Sequence, residues 1–108
     1  MPSFKIDLST AVVIVATEPT IKMANKQAGE VAVDRDTGAT LMTVDLLVSD
    51  EGQSNLWKVT VPETGVPEGL SVGRMVSVVG LKARDWENTF NGQARHGISF
   101  RAVSLVAV

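Results

Sequence analysis

Residues 74–86 read Arg74-Met75-Val76-Ser77-Val78-Val79-Gly80-Leu81-Lys82-Ala83-Arg84-Asp85-Trp86, a long β-strand pattern with a glycine in its middle. Glycine inside a strand marks a bulge or a sharp bend, so the strand is expected to curl at Gly80. Simple alternation would keep Lys82, Arg84 and Trp86 on the side of Val76 and Val78, the apolar side of the first half. A one-residue register shift at Gly80 reverses this, so that Leu81 and Ala83 line the core and Lys82, Arg84 and Trp86 form an outward row.

The surrounding sequence extends the same pattern. Residues 88–93 contain the Asn91-Gly92 pair favoured in hairpin turns, and residues 95–108 read as a final strand. Residues 62–73 hold two prolines and three glycines, which leaves room for one helical turn at most, around residues 68–70. Residues 39–48 alternate, with Leu41, Thr43, Asp45 and Leu47 pointing one way and Met42, Val44, Leu46 and Val48 the other. A polar turn at residues 49–54 leads into residues 56–61, with Trp57, Val59 and Val61 on one side, and the two segments are expected to pair as a hairpin. Residues 11–16, Ala-Val-Val-Ile-Val-Ala, fit a short buried strand closed by Glu18-Pro19-Thr20. Residues 21–37 read as a long loop or irregular hairpin arm, with room for a short strand at 30–33. The order predicts an all-β fold, a small, highly curved five-stranded barrel with a long first connection.

The 108 residues suffice for one domain, and 44% apolar with 20% charged residues is ordinary globular composition. The absence of cysteine excludes disulfides, thiolate metal sites and cysteine nucleophiles. One histidine and no tyrosine leave little for acid–base chemistry, and no phosphate-cradling glycine loop, G-x-S-x-G or H-E-x-x-H motif occurs, so no enzyme is expected. Asp34-Arg35-Asp36 is too short and too interrupted by a cation for a calcium loop, and neither metal nor small-molecule cofactor is expected. The N-terminus lacks the basic and apolar regions of a signal peptide and residues 11–16 are the longest uncharged apolar run, so a cytoplasmic protein without a membrane anchor is expected. A net charge of -2 argues against strongly electrostatic binding but leaves a local basic face open.

Leu56-Trp57-Lys58-Val59-Thr60-Val61, the run from Gly73 to Trp86, Asn91-Gly92-Gln93 and the closing strand resemble the bacterial single-stranded DNA-binding family of OB-folds. Its pattern has an aromatic followed by a basic residue, then G-x-x-V-x-V-x-G-x-L-x-x-R-x-W, a G-Q turn and a last strand. The resemblance covers the chain from about Trp57 onward. Here Gly80 and Leu81 are adjacent, one residue tighter than in the family, while the Arg84-x-Trp86 spacing is retained. The family's helix between its third and fourth strands has no room in residues 62–73, and no counterpart of its acidic C-terminal tail is expected. The chain is also similar to small proteins of actinobacterial plasmids and integrative elements. The resemblance implies a Greek-key OB barrel that binds single-stranded DNA in replication, recombination or mobile-element maintenance.

Single-strand binding needs exposed aromatic faces for bases and a cationic track for phosphates. Residues 82–108 carry four basic against two acidic groups, net +2, whereas residues 1–81 carry six against ten, net -4. The candidate nucleic-acid-binding set is Trp57, Lys58, Lys82, Arg84, Trp86, Phe90 and Arg95. Against it, Trp57 shares parity with Val59 and Val61, which suits burial as well as stacking. Arg84 and Arg95 also suit solvated strand charges. Phe100 fits the core, Phe4 a staple for the N-terminal arm, and Lys22, Lys26 and Arg35 either a groove extension or a solvated loop. His96 has no carboxylate within sequence reach and reads as a surface residue. Two functions stay open: a non-catalytic single-stranded-DNA binder, and a partner-binding or homo-oligomeric assembly module whose aromatic face is the interface.

Overall fold

The computed structural model describes residues 3–25 and 27–108, with Asn25, Asn88 and Phe90 described by their backbone. The described chain is all-β apart from one 3₁₀ turn. Its elements are β1 (Ser3–Lys5), β2 (Val12–Val15), β3 (Thr20–Ile21), β4 (Met23–Asn25), β5 (Glu30–Val31), β6 (Leu41–Asp50), β7 (Gln53–Pro62), the 3₁₀ turn Glu63–Gly65, β8 (Val76–Val79), β9 (Lys82–Phe90), β10 (Gln93–Arg101) and β11 (Ser104–Ala107). Among them, no helix is long and apolar enough to cross a membrane.

The β6–β7 hairpin is the spine, paired without interruption from Leu41 opposite Pro62 to Asp50 opposite Gln53. Both strands run closer to the turn than the polar composition of residues 49–54 suggests. The cause is the two-residue link Glu51-Gly52, whose φ values of 51° and 77° are those of a type I′ turn matched to strand twist. The Ser49 and Ser54 hydroxyls pair across the ladder at 2.8 Å. On the inner face, Val44, Leu46, Val48, Val59 and Val61 are buried, joined by Val13 and Val15 of β2, Val76, Leu81, Ala102 and Leu105 in one cluster. β-Branched side chains dominate it because they pack well on a pleated surface.

The main sheet is mixed, with seven strands ordered β1-β9-β10-β7-β6-β2 and β3 added on β6. β10 runs parallel to β7 at Phe100 opposite Val59 and Arg101 opposite Thr60. The expected five-stranded barrel is corrected on two counts, since the described strands are more numerous and the main sheet does not close on itself. Gly80, at φ 66°, breaks the long strand of residues 74–86 into β8 and β9, and the last strand breaks at the same level into β10 and β11. There Val103 lies against Gly80, where a Cβ would come within 2.7 Å of Val103 Cγ2. β8 and β11 form a separate two-stranded sheet, with Leu105 opposite Val78. The free side of β2 meets the entry to β8 through Ile14 opposite Met75, and the Val15 amide donates to the Arg74 carbonyl at 2.9 Å.

Other expectations shift by a few residues. The helical turn falls at Glu63–Gly65 rather than around residues 68–70, because Gly65 alone permits the close approach of that turn to β11. The long first connection becomes β3, β4, β5 and a bridge between Val33 and Thr40. Lys26 lies outside the described residues. The N-terminal segment adds β1 to β9, and Ile6 and Leu8, rather than the exposed Phe4, pack against the core.

Candidate nucleic-acid interface

Antiparallel pairing aligns β9 and β10 from Lys82 opposite Arg101 to Phe90 opposite Gln93. The turn is Asn91-Gly92, at φ 51° and 77°, as its Asn-Gly sequence predicts. Among the described residues, β1 pairs with β9 as far as Arg84, and β7 pairs with β10 at Phe100 and Arg101. Among the described residues, 85–98 therefore extend as a two-stranded ribbon beyond the main sheet.

The register shift at Gly80 decides which side chains this ribbon presents. Leu81 and Ala83 are buried, while Lys82, Arg84 and Trp86 are exposed on the other side of the strand. Across the ladder, Arg101 faces Lys82, Ser99 faces Arg84 and Gly97 faces Trp86, with Arg95 one step farther along the same face. The reverse face carries Asp85 and Glu87, opposite Ile98 and His96. The ribbon thus separates charge, with cations and an indole on one side and carboxylates on the other. Register places Glu87 directly across from His96, a carboxylate neighbour that sequence proximity did not provide.

Trp86 owes its position to a glycine. A Cβ on residue 97 would sit 2.6 Å from Cζ2 and 2.8 Å from Cε2 of the indole, so the ring lies against the bare backbone of Gly97. Trp86 as a whole remains 42% exposed. Gly97→Ala is expected to lift the indole off the strand, while the ribbon keeps its pairing because alanine is tolerated in strands better than glycine. The check, made in a Trp57→Phe background that leaves Trp86 as the sole indole, is the emission maximum and the acrylamide accessibility, both of which should rise when Gly97→Ala is added.

Trp57 is not part of this surface. It lies on the strand side of the buried Val59 and Val61 and stacks on Phe100 with ring centroids 4.4 Å apart and planes 9° from parallel. The structure thus places Trp57 as a partly buried aromatic flank of the core, on the face opposite the Lys82–Arg84–Trp86 row. Lys58 does point outward, opposite Asp45 on β6. The Phe90 side chain lies outside the description, although its backbone pairs with Gln93 at the tip of the ribbon. Among the described residues, no group of three or more histidine, aspartate and glutamate side chains is placed to hold a metal ion.

Pairing adds cations that local pattern did not assign. Lys5 of β1 stands opposite Lys82, so a row runs Lys5, Lys82, Arg101, Thr60 across β1, β9, β10 and β7. Lys22 joins its end, donating from Nζ to Thr60 Oγ1 at 3.2 Å. The three-residue β1 has too little alternation for sequence alone to assign Lys5 to a face. Arg101, already near the aromatics in sequence, is ion-paired to Asp34 with Nη2 2.7 Å from Oδ2.

Asp34 is held below the usual carboxylate range, first by the Asp36 backbone N–H and further by the charge of Arg101. Asp7 is lowered likewise by the Ser9 backbone N–H. A carboxyl lowered on folding contributes stability that is complete above its unfolded pKa, about 3.9, and is lost as pH falls through the lower folded value. Melting temperature followed from pH 5 down to pH 2 should therefore fall more steeply for the wild type than for Asp34→Asn. Equal slopes would contradict the assignment.

No known protein family, curated protein or solved structure matches the chain.

Proposed function

We propose that this protein is a non-catalytic single-stranded-DNA-binding module with an OB-like arrangement of strands, serving replication, recombination or mobile-element maintenance. The observation that carries the reading is the outward row Lys82, Arg84, Trp86, with its indole seated on Gly97 and the carboxylates of the ribbon turned to the opposite face. The parallel register of β7 with β10, and the contact of β2 with the entry to β8, support the OB-like arrangement. The broader biological setting rests on the sequence resemblance.

In this mechanism one face of Trp86 rests on glycine and the other receives a base. Stacking of this kind contributes about 1–3 kcal/mol per base and tolerates any sequence, because every base has a π-face. Lys5, Lys82, Arg84, Arg95 and Arg101 neutralise phosphates along and across the ribbon. Binding is then sustained by a local concentration of cations despite the net charge of -2. Three to five phosphate contacts at about -0.7 each give a log–log salt slope of roughly -2 to -3.5. Fluorescence anisotropy of a labelled oligothymidine, competed with unlabelled single strand and with duplex, tests this. A slope in that range with single strands as the better competitor supports the reading, whereas absence of binding at low salt overturns it.

A specific observation favours a second reading. Among the described residues, 85–90 and 93–99 leave ribbon edges without a strand partner, and Ile98 is 59% exposed on the carboxylate face. A two-stranded ribbon is marginal alone in water, so a homo-oligomer pairing through these edges would stabilise it. Sedimentation at increasing protein concentration separates a self-associating ribbon from a monomeric one.

A further inference from the structure

Arg101 occupies the middle of the basal row, between Lys82 and Thr60, yet its guanidinium is engaged by a carboxylate from a distant part of the chain. The two partners are not equally free to move. Asp34 is fixed in a turn: its Oδ1 accepts the Asp36 N–H at 2.8 Å, its own N–H donates to the Ala39 carbonyl and its carbonyl accepts from the Gly38 N–H, both at 2.8 Å. Its side chain is 12% exposed, against 53% for Arg101. The pair thus joins a rigid acceptor to a long, largely solvated donor. Ion pairs with an exposed partner are weak in water, and a phosphate oxygen offers arginine the same planar, charge-assisted geometry as a carboxylate.

We propose that Asp34 is a carboxylate latch on the nucleic-acid face, holding Arg101 in the free protein and yielding it to a phosphate of the bound strand. The latch rests on the single-strand-binding reading and deepens it. While Arg101 is latched, the row Lys5, Lys82, Arg101 presents one cation fewer, and after exchange Asp34 is left beside a phosphate of like charge. Both effects hold affinity down, and both vanish when the carboxylate is neutralised. A purely positioning role for Asp34 predicts the opposite sign, because removing it would let Arg101 drift from the row.

The test is anisotropy of labelled oligothymidine against salt for the wild type, Asp34→Asn, Arg101→Gln and the double variant. Asparagine keeps an oxygen for the Asp36 N–H, and Asp34→Ser, whose hydroxyl can also accept it, serves if the first variant folds poorly. Circular dichroism checks each protein for the wild-type fold. The latch predicts binding about three- to tenfold tighter at low salt for Asp34→Asn, a salt slope steeper by up to about 0.7, and loss of the gain when Arg101→Gln is added. Unchanged or weaker binding by folded Asp34→Asn and Asp34→Ser, with the wild type still binding, overturns the latch and leaves the binding reading standing. Failure of every folded variant to bind overturns both.

Discussion

Trp86→Ala is expected to weaken oligothymidine binding about 5- to 150-fold, the equivalent of about 1–3 kcal/mol of base stacking, while the protein stays folded. The split between binding and stability follows from where the indole sits. Trp86 as a whole is 42% exposed and its ring rests on the Gly97 backbone, outside the buried cluster of Val44, Leu46, Val59 and Val61. Trp57→Ala should behave in the converse way. Its ring stacks on Phe100 against the core, so its removal should lower the melting temperature and affect oligothymidine binding less than Trp86→Ala does. Paired anisotropy titrations and thermal melts of the two variants check the division. If Trp57→Ala binds more weakly than Trp86→Ala in folded protein, the face assignment of the two tryptophans is wrong.

Gly65→Ala is expected to cost about 2–3 kcal/mol of folding stability, a fall in melting temperature of roughly 10–15 °C. A Cβ there would lie 2.2 Å from the Val103 carbonyl oxygen and 2.8 Å from Ser104 Cα. These are backbone atoms at the start of β11, and β11 is held by its ladder with β8, so no rotamer change can relieve the clash. Adding Ser104→Gly, which removes only the more distant Cβ contact, should restore little. Thermal melting of the single and double variants provides the check, and a single variant that melts with the wild type would mean that the Glu63–Gly65 turn does not pack on β11.

The sequence made legible those features whose cause is local. Alternation in residues 39–48 and 56–61 identified the inner face of β6 and β7, since period two is a property of the strand itself. Gly80 marked the register shift that turns Lys82, Arg84 and Trp86 outward, and Asn91-Gly92 marked its hairpin turn, because in both cases backbone conformations favoured by glycine leave a residue-level sign. Glu51-Gly52 carries similar turn chemistry but was hidden among polar neighbours. What stayed illegible depends on long-range pairing. Lys5 becomes part of the cation row only through register with Lys82, Gly97 becomes a seat for Trp86 only across the β9–β10 ladder, and Asp34 reaches Arg101 across 67 positions of chain. The parity of Trp57 with Val59 was visible, but only its stack on Phe100 shows that it packs against the core.

The central claim is that a base stacks on Trp86, and the most direct measurement reports from that ring. Of the two tryptophans, Trp57 can be replaced by phenylalanine, which retains an aromatic partner for Phe100 and leaves Trp86 as the sole indole. Titration of Trp57→Phe protein with oligothymidine, at low and high salt and beside duplex DNA of equal length, should quench Trp86 emission with single strands, less so at high salt and little with duplex. Unchanged emission at micromolar protein and low salt would contradict stacking on Trp86 and leave the ribbon as an assembly or partner-binding surface.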